Sequence, residues 1–74
     1  MDNTTIAYGS ITAVVSDYMV NGKNIPAICN IEIHYGGNSA LHTACDRHFA
    51  QQHIDRLVGV AETINQAENP GEAV

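Results

Sequence analysis

Basic residues are scarce in this chain of 74 residues. Lysine and arginine together occur three times, against eight aspartates and glutamates, and the formal net charge is −5. Proteins that bind a nucleic-acid backbone need a basic surface, because their affinity comes from neutralising phosphates. The composition therefore predicts no direct nucleic-acid binding. It suits a protein partner with a basic surface, since opposite potentials speed encounter, and it also serves plain solubility.

Long hydrophobic runs and catalytic motifs are missing as well. No apolar stretch approaches the roughly 18 residues that a membrane span requires, and residues 1–5 lack the basic start of a secretion signal. We therefore expect a cytoplasmic protein with no membrane partner. Gly36-Gly37 lacks the lysine and the spacing of a phosphate-binding loop. Without such a loop, a catalytic triad or a pair of carboxylates, we predict that the protein is not an enzyme.

What the chain does contain is strict alternation of apolar and polar residues between Ile11 and Tyr35, on both sides of Asn21-Gly22. Such alternation is typical of half-buried strands, and Asn-Gly is a strong turn signal. The pattern predicts one long β-hairpin with its apolar side chains on a single face. Those side chains are Ile11, Ala13, Val15, Met19, Ile25, Ala27, Cys29, Ile31, Ile33 and Tyr35.

The turn of this hairpin decides which residues face each other. A two-residue loop at Asn21-Gly22 would pair the apolar set of one strand with the polar set of the other. A three-residue loop that begins at Val20 pairs Ala13 with Cys29 and places both apolar sets on one face. Gly22 then occupies the left-handed position that this loop needs. We therefore predict the three-residue loop, with a bulge.

A helix is predicted after the hairpin. The segment from Gly36 to Ser39 is predicted to be a turn, and residues 40–44 a possible third strand. Residues 46–67 are predicted to form a helix. Gly59 interrupts this helix, and close approach to the sheet or a kink would explain its presence. Its apolar stripe comprises Ala50, Ile54, Leu57, Ala61 and Ile64, with Phe49 and Val58 beside it.

We expect a single α+β domain over residues 1–74. In this two-layer plan, one C-terminal helix packs on an antiparallel hairpin or three-stranded sheet, in the order β-β-β-α. The predicted strands cover about 6–19, 23–35 and possibly 40–44, the helix about 46–67, and the tail 69–74.

Cysteine and histidine residues raise the question of a metal. Cys45 and His48 stand three apart at the predicted helix start, a spacing that lets both side chains reach one ion. It resembles the second half of treble-clef and zinc-knuckle sites, although the usual Cys-x-x-Cys half is missing here. Cys29 would be the third ligand, and His53 or Asp17 the fourth. The main expectation is no cofactor, and the alternative is a zinc-stabilised regulatory or assembly module.

Three other interpretations of the cysteines stay open. Cys29 is suited to the core as a small apolar residue. A disulfide between Cys29 and Cys45 is a further possibility, although disulfides are rare in a reducing cytoplasm. Cys45 near a helix start, with His48 one turn on, is also placed to be a nucleophile with a lowered pKa.

The even positions of the hairpin form the opposite face of the predicted sheet. Apolar and aromatic side chains stand there among polar neighbours, which is typical of protein interfaces, although scattered apolar residues are also normal on any surface. The predicted partner-binding residues are Val14, Tyr18, Ile28, Asn30, Glu32 and His34. A homodimer through this face or through a strand edge is the alternative occupant.

In size, acidity and hairpin-plus-helix plan the whole chain resembles small phage-encoded inhibitors, anti-CRISPR proteins among them. The resemblance is one of general character and assigns no role to a particular residue. It implies a non-enzymatic protein that blocks a basic, nucleic-acid-handling host protein or complex.

Overall fold

In the computed structural model, which describes residues 3–68, the chain forms one antiparallel sheet followed by one helix. The strands lie side by side in chain order, so each pairs with its neighbour in sequence. The expected α+β class is confirmed. The elements are β1 (Thr4–Tyr8), β2 (Ile11–Val20), β3 (Lys23–Gly36), β4 (Ser39–Asp46), a 3₁₀ turn (Arg47–Phe49) and α1 (Ala50–Glu68).

The sheet has one strand more than predicted. The single strand expected over residues 6–19 is divided by a turn at Gly9 and Ser10, and Gly9 has a φ of 64°. The possible strand over 40–44 is confirmed and extends over β4. The predicted tail 69–74 lies outside the described residues. Within residues 3–68, no helix combines the length and the apolar character needed to cross a bilayer.

The predicted long hairpin is confirmed as β2 and β3, but its three-residue loop is wrong. Val20 pairs with Lys23, so the loop has two residues, and Asn21 and Gly22 have φ values of 50° and 79°. Two successive positive φ values are characteristic of a type I′ turn, whose twist matches that of the flanking strands. This short loop pairs apolar residues of one strand with polar residues of the other near the turn. The mismatch is removed further along β3.

A large bulge in β3 brings the apolar side chains of the two strands back to the same face. Met19 pairs with Asn24, but Asp17 already pairs with Cys29, so the segment 25–28 of β3 stands opposite Tyr18 alone. This segment contains Pro26, which has no backbone N–H to give to a strand ladder and is tolerated at bulges. Beyond the bulge, the apolar faces of the two strands coincide.

Arg47, which directly follows the end of β4, holds this bulge through hydrogen bonds. Its Nε donates to the carbonyl oxygen of Pro26 at 3.1 Å, and one terminal nitrogen lies 3.4 Å from both the carbonyl oxygen of Ile28 and Oδ1 of Asp17. A bulge leaves carbonyls without ladder partners, and the guanidinium supplies donors to two of them. Asp17, the one acidic residue on the apolar side of the hairpin, thereby gains a cationic neighbour.

The core lies between the middle strands and α1. Its buried members are Ile11, Ala13, Cys29, Ile31, Ile33, Ile54, Val58 and Ala61. Three residues of the predicted apolar face, Met19, Ile25 and Ala27, neither belong to this core nor pack against it, and Met19 is 49% exposed. Met19 lies at the turn end of β2, and Ile25 and Ala27 belong to the bulge segment 25–28 of β3.

Thr43 and Asp46 stand three apart, the spacing of a capping box, so each is a candidate cap of the helical segment. Asp46 accepts a hydrogen bond from the backbone N–H of His48 at 2.8 Å and so caps the 3₁₀ turn, whereas Thr43 belongs to β4. The predicted apolar stripe packs on the sheet through Ile54, Val58 and Ala61. Phe49 does not join it, because it precedes α1 in the 3₁₀ turn and is 46% exposed.

Gly59 does not approach the sheet as expected. It is exposed, and an added Cβ would meet no atom within 4 Å. Because glycine costs a helix interior about 1 kcal/mol relative to alanine, Gly59→Ala should raise the melting temperature by about 4–8 °C. Thermal unfolding followed by circular dichroism measures this.

The matched control is Gly22→Ala, which should lower the melting temperature. Gly22 also has free space around its Cα, but its φ of 79° strains any residue with a side chain. A Gly59→Ala protein that melts below the wild type would contradict the open helical position described here.

Candidate functional site on the outer face of the sheet

The sheet face that points away from α1, called the outer face below, carries three rows of side chains across β2, β3 and β4. In the middle row Val14 lies opposite Glu32, and Glu32 lies opposite His42. These residues face away from the core because successive side chains of a strand point to opposite faces. The flanking rows are Ser16, Asn30 and Ala44, and Thr12, His34 and Ala40.

A groove of about 460 Å³ lies within the outer face. It is open to solvent, and polar groups contribute much of its surface, whereas small-molecule sites enclose their ligands between mostly apolar walls. The groove therefore suits a side chain presented by a partner protein better than a free metabolite. We call it the Glu32 groove; its lining residues are Ser16, Asn30, Ile31, Glu32, His42, Thr43 and Ala44.

Glu32 is the one acidic residue among those lining the groove. Its Oε1 lies 3.0 Å from Nε2 of His34, and its side chain is 39% exposed. Beside it, Nδ2 of Asn30 donates to the backbone carbonyl of Asp17 at 3.0 Å, which holds the amide against β2. A half-exposed carboxylate in this setting can accept the paired N–H groups of an arginine or the ammonium of a lysine.

The predicted partner-binding residues divide into two groups. Val14, Asn30, Glu32 and His34 lie in the three rows of the outer face. Ile28 lies on the same face one step further along, opposite Asp46, and is half-buried. Tyr18 stands opposite the bulge without a partner in the ladder. A role in binding stays a prediction for all six.

Of the seven residues that line the Glu32 groove, the sequence predicted two, Asn30 and Glu32, as binding residues. It missed Ser16, Ile31, His42, Thr43 and Ala44. The register of β4 places His42 beside Glu32, and this register includes an irregularity between His34 and Gly36. The spacing of the Gly36 to Ser39 turn was the signal available for finding it.

The predicted zinc ligands are not assembled. Cys29 and Cys45 lie directly opposite each other on β3 and β4, but His48 is exposed in the 3₁₀ turn, with its ring edge-to-face with Phe49 at 5.1 Å. Among residues 3–68, no three His, Cys, Asp or Glu side chains are grouped so that they could hold a metal ion. The alternative of a zinc module at Cys29, Cys45 and His48 is therefore not supported.

The open interpretation of Cys45 as a nucleophile with a lowered pKa is contradicted by the structure. Burial raises the pKa of the Cys45 thiol above its usual range, and the neighbouring Cys29 and the Asp46 carboxylate raise it further. Cys45 belongs to a strand and not to a helix N-terminus, so no helix dipole favours the thiolate. A catalytic cysteine that is ionised at neutral pH requires the opposite shift.

Alkylation of Cys45 should report this raised pKa directly. The thiolate is the reactive form, so the rate of reaction with iodoacetamide should reach half its maximum at a higher pH in the folded protein than in the urea-unfolded chain. Peptide mass spectrometry of samples quenched at several pH values measures the rate at Cys45 alone. A midpoint at or below that of the unfolded chain would contradict the raised pKa.

No protein-family model, curated protein or solved structure matches this chain.

Proposed function

We propose that this protein is a non-enzymatic binding protein that docks a basic segment of a partner protein on its outer face. The observation that carries the proposal is the Glu32 groove, a half-exposed carboxylate in an open depression of a sheet face. Of the described elements, α1 packs on the core face and none covers the outer face.

The placement of the basic residues supports a cationic partner. Lys23 lies at the hairpin turn, Arg47 is engaged with Asp17 and the bulge carbonyls, and Arg56 lies on α1, where it contacts His53. None of the three belongs to the rows of the outer face. An arginine or lysine that enters the groove therefore meets Glu32 with no lysine or arginine of these rows opposing it, which favours encounter with a basic surface.

The same charge argument disfavours a homodimer through this face. A two-fold interface places the same patch on both subunits, so a dimer centred on the groove would bring two Glu32 carboxylates together. Like charges at close range oppose association, and the cost grows as water is excluded. A foreign basic partner satisfies the groove better than a second copy.

The resemblance to small phage-encoded inhibitors narrows the class of partner. Host proteins that handle nucleic acids present arginine and lysine to phosphates, and a carboxylate held on a rigid sheet can occupy one such position. We propose that the protein acts as an inhibitor of this kind, anti-CRISPR-like in character, by covering a basic nucleic-acid-binding surface in the cytoplasm.

An arginine-rich peptide is a direct probe of the docking surface. Titration into isotope-labelled protein should shift the amide signals of Ser16, Asn30, Glu32, His42 and Ala44, with saturation and with weakening at high salt. Shifts centred instead on Asp55 and Glu62 of α1, or no saturable shift at all, would contradict docking on the outer face. A lysine-rich peptide of equal charge tests whether the paired donors of arginine matter.

The same probe distinguishes a partner-binding surface from acidity that only gives solubility. Non-specific attraction follows the net charge of −5 and would affect the acidic side chains of both layers alike. A binding site would instead shift the amide signals of the outer face alone. The partner can then be captured from cell extract on the immobilised chain. A nucleic acid that binds the captured protein should compete with the chain for that protein.

A further inference from the structure

The two cysteines of the chain form a cross-strand pair on the core face. Cys29 of β3 and Cys45 of β4 are direct partners in the antiparallel ladder, and both are free thiols. Cys29 is therefore the cross-strand neighbour of Cys45. The sequence left a disulfide between these two cysteines open, and the strand register supplies the geometry that the sequence lacked.

This placement satisfies the main geometric requirement of a disulfide. Directly opposite residues of an antiparallel pair have Cα atoms about 4.5–5.5 Å apart, which falls inside the range of roughly 4.4–6.8 Å found for disulfides. Their side chains also leave the sheet on the same face. We propose that Cys29 and Cys45 form a reversible cross-strand disulfide when the protein meets an oxidising low-molecular-weight disulfide such as oxidised glutathione.

The two thiols have unequal access to the oxidant. Cys29 is 0% exposed and lies in an inner strand, whereas Cys45 is half-buried and lies on the edge strand of the sheet. An external reagent therefore reaches Cys45 first. Cys29 reacts only with a group already attached to its neighbour, so it is the resolving cysteine.

The reaction proceeds by two exchanges. The Cys45 thiolate attacks one sulfur of oxidised glutathione, whose S–S bond breaks and releases one glutathione thiolate. The Cys29 thiolate then attacks the Cys45 sulfur of this mixed disulfide and releases the second glutathione. The protein loses two electrons and two protons, and the oxidant takes up both electrons as its two thiols form. A reducing compartment returns the pair to the dithiol, so the cross-link reports exposure to oxidant.

The chemistry of this pair is independent of the outer face, because both thiols lie on the opposite side of the sheet. Failure of peptide docking on the outer face therefore leaves the disulfide untouched, and the reverse holds as well. Its structural consequence is local, since a cross-link at this position ties the edge strand β4 to β3 one residue before Asp46, the cap of the 3₁₀ turn.

The test is incubation of the full chain with oxidised glutathione, followed by acid quench and mass spectrometry. We expect wild-type protein to lose both thiols together, with a fall in mass of two hydrogen atoms and no change in subunit count. The glutathione adduct should stay below about a tenth of the protein at any time, because the adjacent Cys29 resolves it at a high effective concentration. Dithiothreitol should restore both thiols.

Two variants separate the roles of the cysteines. Cys29→Ala should accumulate a stable glutathione adduct on Cys45, whereas Cys45→Ala should leave Cys29 unmodified for as long as the protein stays folded, as checked by circular dichroism. The wild-type measurement stands even if a variant fails to fold. A stable adduct on wild-type Cys45, two persistent free thiols, or a disulfide between two chains would each overturn the proposal.

Discussion

Replacing Ile31 with alanine should cost most of the stability of the fold. Ile31 and Ile33 are the largest side chains with no exposed surface, and Ile31 belongs to β3, an inner strand of the sheet whose core residues pack with those of α1. Removal of a buried isoleucine side chain down to alanine costs about 2–5 kcal/mol. Domains of this size bury a smaller share of their surface than large ones and have little stability in reserve. We expect the melting temperature to fall by about 10 °C or more.

Urea and thermal unfolding followed by circular dichroism measure this loss. The control is Val60→Ala, which shortens an aliphatic side chain on the exposed side of α1, where Val60 is 42% exposed. That change should alter stability by less than about 0.5 kcal/mol. Equal losses in the two variants would mean that the core is not where the burial pattern places it.

Replacing Glu32 with lysine should abolish most of the docking on the outer face. The change turns an attraction at the centre of the groove into a repulsion, and disrupting one partner of a desolvated charge pair costs roughly 2–5 kcal/mol of binding free energy. That corresponds to a loss of affinity of about 30-fold or more. The fold should persist, because the Glu32 side chain is 39% exposed and its contact with His34 lies at the surface.

Glu62→Lys is the matched control, since it makes the same change of charge at an exposed position of α1. Calorimetric titration of both variants with the arginine-rich peptide separates a local site from general attraction. A local site predicts a large loss for Glu32→Lys and a small one for Glu62→Lys. If both variants lose affinity equally, the binding follows net charge and the groove has no special role.

The faces of the sheet were predictable from the sequence, but the register was not. Alternation along β2 and β3 correctly separated core from outer positions, because side-chain direction depends only on parity. Ala13 was expected opposite Cys29 and lies opposite Ile33. This offset of four residues preserves parity, so the face assignment survived an error in the turn.

The cause of that error is a contact between distant parts of the chain. The bulge around Pro26 is stabilised by Arg47, which is 21 residues away in sequence. Local patterns describe the strand and the proline, but they do not show which later side chain will donate to the freed carbonyls. Lengthening the loop by one residue was the simplest local way to place both apolar sets on one face. The protein instead uses a larger bulge supported by a long-range hydrogen bond.

Only part of the candidate site was predictable from the sequence. Glu32 and its neighbours on β2 and β3 followed from parity alone. His42 required the pairing of β4, which follows an irregular step near Tyr35. The cysteine pair depended on the same pairing, so the spacing between Cys45 and His48 drew attention to a metal while the true neighbour of Cys45 was Cys29.

The sequential pairing of the strands has a kinetic consequence during synthesis. Each strand meets its neighbour across a short turn, so the hairpins can form within microseconds of leaving the ribosome. The 19 residues of α1 follow the sheet in the chain and take about 1–4 s to be made at normal translation rates. For that interval the apolar side of the sheet has no helix to cover it. Newly made chains are therefore most vulnerable to misassembly before α1 has been made, and a chain that stops before Ala50 should be a target for chaperones and proteases.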